Sequence, residues 1–244
     1  MYITRSPFRP GRATEVLIVA HGSPSDPEPQ ERFVARLAER VGARTGAMVR
    51  GATLAKPGSL EAAVAGMRAP QVFPHFMTDG WFVSTHLQTR LETAGLADWV
   101  TLTPLGMSAA LPELAARRLR AEMAEAELPE SRTTLVVAAH GSPKDPRPAR
   151  ATEAFAKALK ATRLFREVRA GYVDEAPSLE EVATVEGPAI VLPFFAARAG
   201  HVLMDLPEAL EAAAFEGVVL PPIGTWDNVP LLICETLARA EAAP

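Results

Sequence analysis

A single cysteine, Cys234, in 244 residues excludes internal disulfides and any all-cysteine metal or iron–sulfur site within one chain. An excess of basic residues is missing too. The 25 Lys and Arg stand against 29 Asp and Glu, a formal net charge of -4, which gives no footprint for nucleic acid. No apolar run approaches the roughly 20 residues that span a bilayer. The stretch from Met1 to Arg12 is polar, holds Pro7 and Pro10, and lacks the apolar core of a signal peptide, so a cytoplasmic protein without a membrane partner is expected. Several catalytic signatures are also absent. There is no GxSxG elbow, no P-loop or GxGxxG, and no helical HExxH pair. What remains, 48% hydrophobic and 22% charged, suits a globular chain able to bury a core.

Within that plain composition one phrase occurs twice. Val16-Leu17-Ile18-Val19-Ala20 runs into His21-Gly22-Ser23-Pro24, and Leu135-Val136-Val137-Ala138-Ala139 runs into His140-Gly141-Ser142-Pro143. Each is a short apolar run of the kind that forms a strand buried on both faces, and each stops on a histidine, a glycine and a hydroxyl. Ligands of open α/β sheets bind beyond the carboxyl ends of strands. A histidine repeated at that place is therefore a candidate for chemistry.

The landmarks around the phrase repeat as well. His21 and His140 are 119 residues apart, Pro57 and Pro177 120, Pro74 and Pro193 119, and Pro104 and Pro222 118. The spacing predicts a duplication into two β-α-β-α-β-α-β-α halves, residues 1–128 and 129–244, each a four-stranded, mostly parallel sheet flanked by helices. Two such Rossmann-like or flavodoxin-like halves would face one cleft with their strand ends. The first helix is expected to open at Pro27 and end at Gly42.

The five histidines, His21, His75, His86, His140 and His201, all fall just after an expected strand end or where the next loop enters its helix. Neutral imidazole is both a metal ligand and a base near pH 7, so the set points to a metal-handling or proton-handling cleft with ligands converging from separate loops. A histidine phosphatase would place arginine before the strand-end histidine, where Ala20 and Ala139 stand. Ser23 and Ser142 are expected to cap turns or to bind a ligand rather than act as nucleophiles.

The pairing of His140-Gly141-Ser142 with the later block PFFAARAGHVLMDLP, Pro193 to Pro207, resembles the CbiX-type sirohydrochlorin chelatases in their long, two-half form. The likeness covers nearly the whole chain. It implies two flavodoxin-like lobes holding a tetrapyrrole between them, and ATP-independent insertion of Fe2+ (siroheme biosynthesis) or Co2+ (cobalamin biosynthesis). Carried over by residue, His140 and His201 are the paired metal-binding and proton-accepting histidines, with His21, His75 and His86 as further cleft ligands. In the first half Phe82 stands at the place of His201 and His86 at that of Asp205. Many members carry a third-ligand glutamate four residues before the proline that follows the second strand. Thr53 and Val173 stand there in this chain, which leaves Glu175 as the nearest substitute, with Asp79 as further support. The cysteine-bearing cluster region of some long members is absent, so no iron–sulfur centre and no permanently bound cofactor are expected.

Metal entry displaces two pyrrole protons, which requires a base beside the ring and a weak metal perch; imidazole suits both Fe2+ and Co2+. The eight carboxylates of sirohydrochlorin require cations or hydroxyls. Arg147 and Arg198, with Lys144 and Arg150 nearby, are the expected cations, and Ser23, Ser142, Ser84 and Thr85 the hydroxyls. Phe76, Trp81, Phe82, Phe194 and Phe195 could pack on the macrocycle. The expected partners are sirohydrochlorin and a divalent metal, with the chain a monomer or homodimer. Two other readings stay open: a non-catalytic tetrapyrrole or metal carrier, and a histidine-dependent phosphate-ester hydrolase, which the missing arginine disfavours.

Overall fold

The computed structural model describes residues 14–198, 200 and 204–242. In chain order the first half carries β1 (Glu15–Ala20), α1 (Pro27–Thr45), β2 (Met48–Thr53), α2 (Ser59–Val64), β3 (Gln71–Pro74), α3 (Leu87–Thr93), β4 (Val100–Thr101) and α4 (Leu111–Glu125). The second carries β5 (Thr134–Ala139), α5 (Arg147–Ala161), β6 (Glu167–Tyr172), α6 (Leu179–Ala183), β7 (Ala189–Pro193), α7 (Asp205–Ala212), β8 (Val218–Val219) and α8 (Val229–Ala242). The two sheets have one topology, β2-β1-β3-β4 and β6-β5-β7-β8, with every pairing parallel. The repeat expected from the spacing is thus a repeat of topology.

Parallel strands covered by helices on both faces must be apolar on both faces, and β1 and β5 meet that demand. Val16–Val19 and Leu135–Ala138 have no exposure at all. Both strands are central. From each, the chain crosses first to one neighbour (β2 or β6) and then to the other side (β3 or β7), so the strand order reverses beside β1 and β5. The carboxyl end of the sheet at such a reversal opens a crevice, because the loops on either side diverge. His21 and His140 stand at those two crevices.

The chain divides into two compact units, Met1–His75 with Ser84–Thr103 and Val229–Pro244, and Phe76–Val83 with Pro104–Asn228. All strands before residue 128 lie in the first unit and all strands after it in the second. The last helix of each half lies in the other unit: α8 packs on α1, and α4 packs on α5. The loop after β3, Phe76–Val83, also belongs to the second unit.

One helix end differs from expectation. α1 runs through Gly42 to Thr45, because Gly46 supplies the left-handed C-cap at φ 70° and donates its N–H back to the Gly42 carbonyl. A π-helical turn, Phe82–His86, precedes α3. The repeat is visible in side chains as well. Arg50 on β2 donates to the carbonyls of Ala63 at 2.9 Å and Ala65 at 2.7 Å, and Arg169 on β6 donates to those of Val182 at 3.4 Å and Thr184 at 3.2 Å. Each guanidinium closes the carbonyl end of the following short helix, where unsatisfied acceptors and the helix dipole favour a cation. Arg50→Ala leaves those carbonyls without their donor. It is expected to cost about 2 kcal/mol, roughly 4–8 °C of Tm, measured by thermal or urea unfolding.

Candidate functional site

His140 follows β5 and is held by two acceptors. Its Nδ1 lies 3.0 Å from the Gly141 carbonyl and 3.2 Å from Asp174 Oδ2. Both are acceptors, so Nδ1 carries the proton and Nε2 presents a lone pair, the tautomer that a metal or a departing proton requires. A carboxylate behind an imidazole also fixes the ring orientation and its tautomer. The ring stays accessible, with 42% of the side chain exposed.

The first half repeats the backbone contact. His21 Nδ1 lies 3.0 Å from the Gly22 carbonyl. The backbone N–H after β2 that bonds the His21 carbonyl is that of Ala55, whereas the one after β6 that bonds the His140 carbonyl is that of Asp174. The same register position therefore carries a methyl group in one half and a carboxylate in the other. Counting back from the following proline leads to Val173, and charge type alone leads to Glu175. Counting from the strand pairing leads to Asp174, the signal by which sequence reading could have found it.

Glu175 has a different task. Its Oε1 accepts the Ser142 backbone N–H at 2.8 Å. Gly141 is left-handed at φ +73°, and a Cβ there would collide with Glu175 and Tyr172. Burial pushes the Tyr172 phenol up to about 12, so it packs beneath this loop as a neutral group. The Ser142 hydroxyl accepts the Asp145 N–H at 3.2 Å and works as a turn cap, and Ser23 Oγ bonds Ser25 Oγ at 3.2 Å. Arg147 is a clamp. Its Nε lies 2.9 and 3.0 Å from the two Asp145 oxygens, and its Nη1 donates to the Asp79 carbonyl at 3.1 Å, tying the start of α5 to the loop after β3. These bonds, the guanidinium's first and the Arg147 backbone N–H next, hold the Asp145 carboxyl below its usual range.

A cavity of about 420 Å³ within the second unit is bordered by His140 and Ser142 and by all five aromatics expected to meet a ring: Phe76, Trp81, Phe82, Phe194 and Phe195. Trp81, 52% exposed, meets Phe82 edge-on at 5.2 Å. Phe194 is 2% exposed and stacks on Phe155 at 4.6 Å, so it belongs to the core and only borders the cavity. One concave site thus collects His140, Ser142, Trp81 and Phe194, with Glu175 and Arg147 as its buttresses.

Other expected residues are not part of this cavity's lining. His75 is 1% exposed and packs against Phe33 with ring centroids 5.5 Å apart; tertiary burial makes it a core residue of the first unit rather than a cleft ligand. His21 and His86 also belong to the first unit, and Arg198 is exposed after β7. His201 lies outside the described residues. Among the described residues no group of three or more His, Cys, Asp or Glu is close enough to hold a metal ion.

The CbiX family model matches residues 134–240, the half that carries the histidine and carboxylate together. A solved structure of CbiX, described as the terminal enzyme of siroheme biosynthesis in denitrifying bacteria, is 40% identical, covers 93% of this chain and 99% of its own, and superposes with a TM-score of 0.84. DR2241 from Deinococcus radiodurans, a multi-domain protein with structural similarity to chelatases, is 22% identical over 93% of this chain and 55% of its own, with a TM-score of 0.73. SirB from Bacillus subtilis, solved with Fe3+, shares the fold at 15% identity, 95% and 96% coverage and a TM-score of 0.76. No curated protein matches. With so close a likeness over nearly its whole length, the chain belongs to the CbiX family.

Proposed function

We propose that this protein is a sirohydrochlorin chelatase, inserting Fe2+ into the macrocycle without ATP. The observation that carries the reading is the His140–Asp174 pair at the rim of an aromatic cavity, at the point where the strand order reverses. Insertion replaces two pyrrole N–H protons by one divalent cation, so a site beside the ring must accept protons and present the metal in turn. His140 Nε2 can do either, and Asp174 stabilises the imidazolium formed when it takes a proton. His201 is the second histidine of the reading, by its resemblance to the family pattern. The aromatic walls give the flat ring apolar contact and hold it facing the imidazole, which lowers the entropic part of the barrier.

Iron is favoured over cobalt because the relative at 40% identity is described as a siroheme enzyme. No helix among the described residues is long and apolar enough to cross a membrane. The test is anaerobic: the protein, sirohydrochlorin, and either Fe2+ or Co2+, followed by the visible spectrum of the ring. Multiple turnovers above the uncatalysed rate are expected, faster with Fe2+. A shift that stops at one equivalent of protein would mean a carrier, and faster insertion of Co2+ would reverse the choice of metal.

A further inference from the structure

A second cavity, of about 410 Å³, lies in the same unit between the start of α5 and the Gly106–Pro112 stretch that leads into α4. It adjoins the His140 cavity. Thr78 borders both, Asp145 gives its side to one and Arg147 to the other, and Phe155 in this wall stacks on Phe194 in that one. Its polar lining is the hydroxyl residues Thr78 and Ser108 and the charged residues Asp79, Arg147 and Arg150. Arg147 is committed, with Nε and Nη2 on Asp145 and Nη1 on the Asp79 carbonyl. Arg150, on the same face of α5 three residues on, is exposed and makes no ion pair among the described residues. Asp145 neutralises Arg147, which among the described residues leaves Arg150 as the guanidinium of this wall without a carboxylate of its own, in a lining that also carries Asp79.

We propose that this cavity binds the carboxylate arms of the substrate, with Arg150 as the residue that selects for an acidic tetrapyrrole; this rests on the chelatase reading of the His140 cavity. Ionised arms are not buried against aromatic walls without a cation, so a ring seated beside His140 must send them outward. The adjoining cavity has room for such arms and offers a guanidinium, whose planar fork matches a carboxylate with two parallel hydrogen bonds. The role first expected of Arg147 passes to Arg150, because Arg147 already has its carboxylate within the chain.

The test is metal-free equilibrium binding to the full chain, followed by quenching of tryptophan fluorescence. The probes are sirohydrochlorin and a free-base tetrapyrrole with four carboxylates, coproporphyrin. Arg150→Gln is expected to raise the Kd for sirohydrochlorin about tenfold, and Arg150→Lys by about threefold, since it keeps the charge but loses the fork. The loss for the four-carboxylate ring is expected to be markedly smaller, and kcat at saturating sirohydrochlorin should hold within about twofold, because Arg150 would bind ring and transition state alike. A Kd for sirohydrochlorin unchanged in Arg150→Gln, or equal losses for both rings, would overturn the assignment while leaving the chelatase reading intact. Failure of the wild-type protein to bind sirohydrochlorin would overturn both.

Discussion

His140→Ala is expected to lower metal insertion about a thousandfold and to leave the fold intact. The size follows from the loss of a positioned base, which alone contributes roughly 10²–10⁴ in rate. The fold should survive because the side chain is 42% exposed and its loop is shaped by other groups: Gly141 in the left-handed region, and Glu175 bonded to the Ser142 N–H. The neighbouring substitutions should grade the effect. Asp174→Asn keeps the shape but loses the charge that orients the imidazole and stabilises its protonated form, and a loss of about 10–100-fold is expected. His21→Ala removes the repeat's other strand-end histidine, behind which Ala55 stands in place of a carboxylate, and less than about a fivefold loss is expected. Single-turnover insertion under anaerobic conditions, with circular dichroism to check the fold, measures all three. Full turnover in His140→Ala would remove His140 from the chemistry, and a His21→Ala defect as deep as that of His140→Ala would place the reaction in the first half as well.

How much of this was legible in the sequence depends on how local the physical signal is. The strands that end at Ala20 and Ala139 declare themselves, since a run of four or five apolar residues stopping at His-Gly has few other fates in an α/β chain. The parallel, duplicated sheets follow from the offset between landmarks, and the aromatics around the cavity from their place after strand ends. Pairings made at a distance are not legible in that way. Nothing near Arg147 announces that its guanidinium will be held by Asp145 and by the carbonyl of Asp79, nor does the strand-end position of His75 reveal that Phe33 will cover it. The exchange of α4 and α8 between the units is equally silent, because an amphipathic helix fits whichever apolar face its connection reaches. Asp174 is the instructive case. The carboxylate sits beside two residues that drew attention, and only the strand register, which counts from hydrogen bonds rather than from a proline, picks it out.

The register also carries the second large expected effect. Gly106, after β4, donates its N–H to the Phe76 carbonyl at 3.0 Å, and Gly224, after β8, donates to the Phe195 carbonyl at the same distance. In both repeats the loop after the last strand thus lies against the loop that borders the ligand crevice. The approach leaves no room for a side chain: a Cβ on Gly106 would overlap the Met77 carbonyl and sit 2.6 Å from its Cα, and one on Gly224 would meet the backbone of Ala196 in the same way. Backbone cannot rotate aside as a flexible side chain can, so Gly106→Ala must push the Phe76–Phe82 wall out of place. A loss of about 3 kcal/mol, roughly 6–12 °C of Tm, is expected, together with weakened binding of sirohydrochlorin. Gly66→Ala is the control that separates collision from conformation. Gly66 has φ +77° and open space where a Cβ would stand, so it should lose only about 1 kcal/mol, with binding unchanged. Thermal unfolding and metal-free ring binding, run on both variants, give the comparison. If Gly106→Ala melts no lower than Gly66→Ala and binds the ring as the wild type does, the close contact between these loops is not what holds the wall of the cavity.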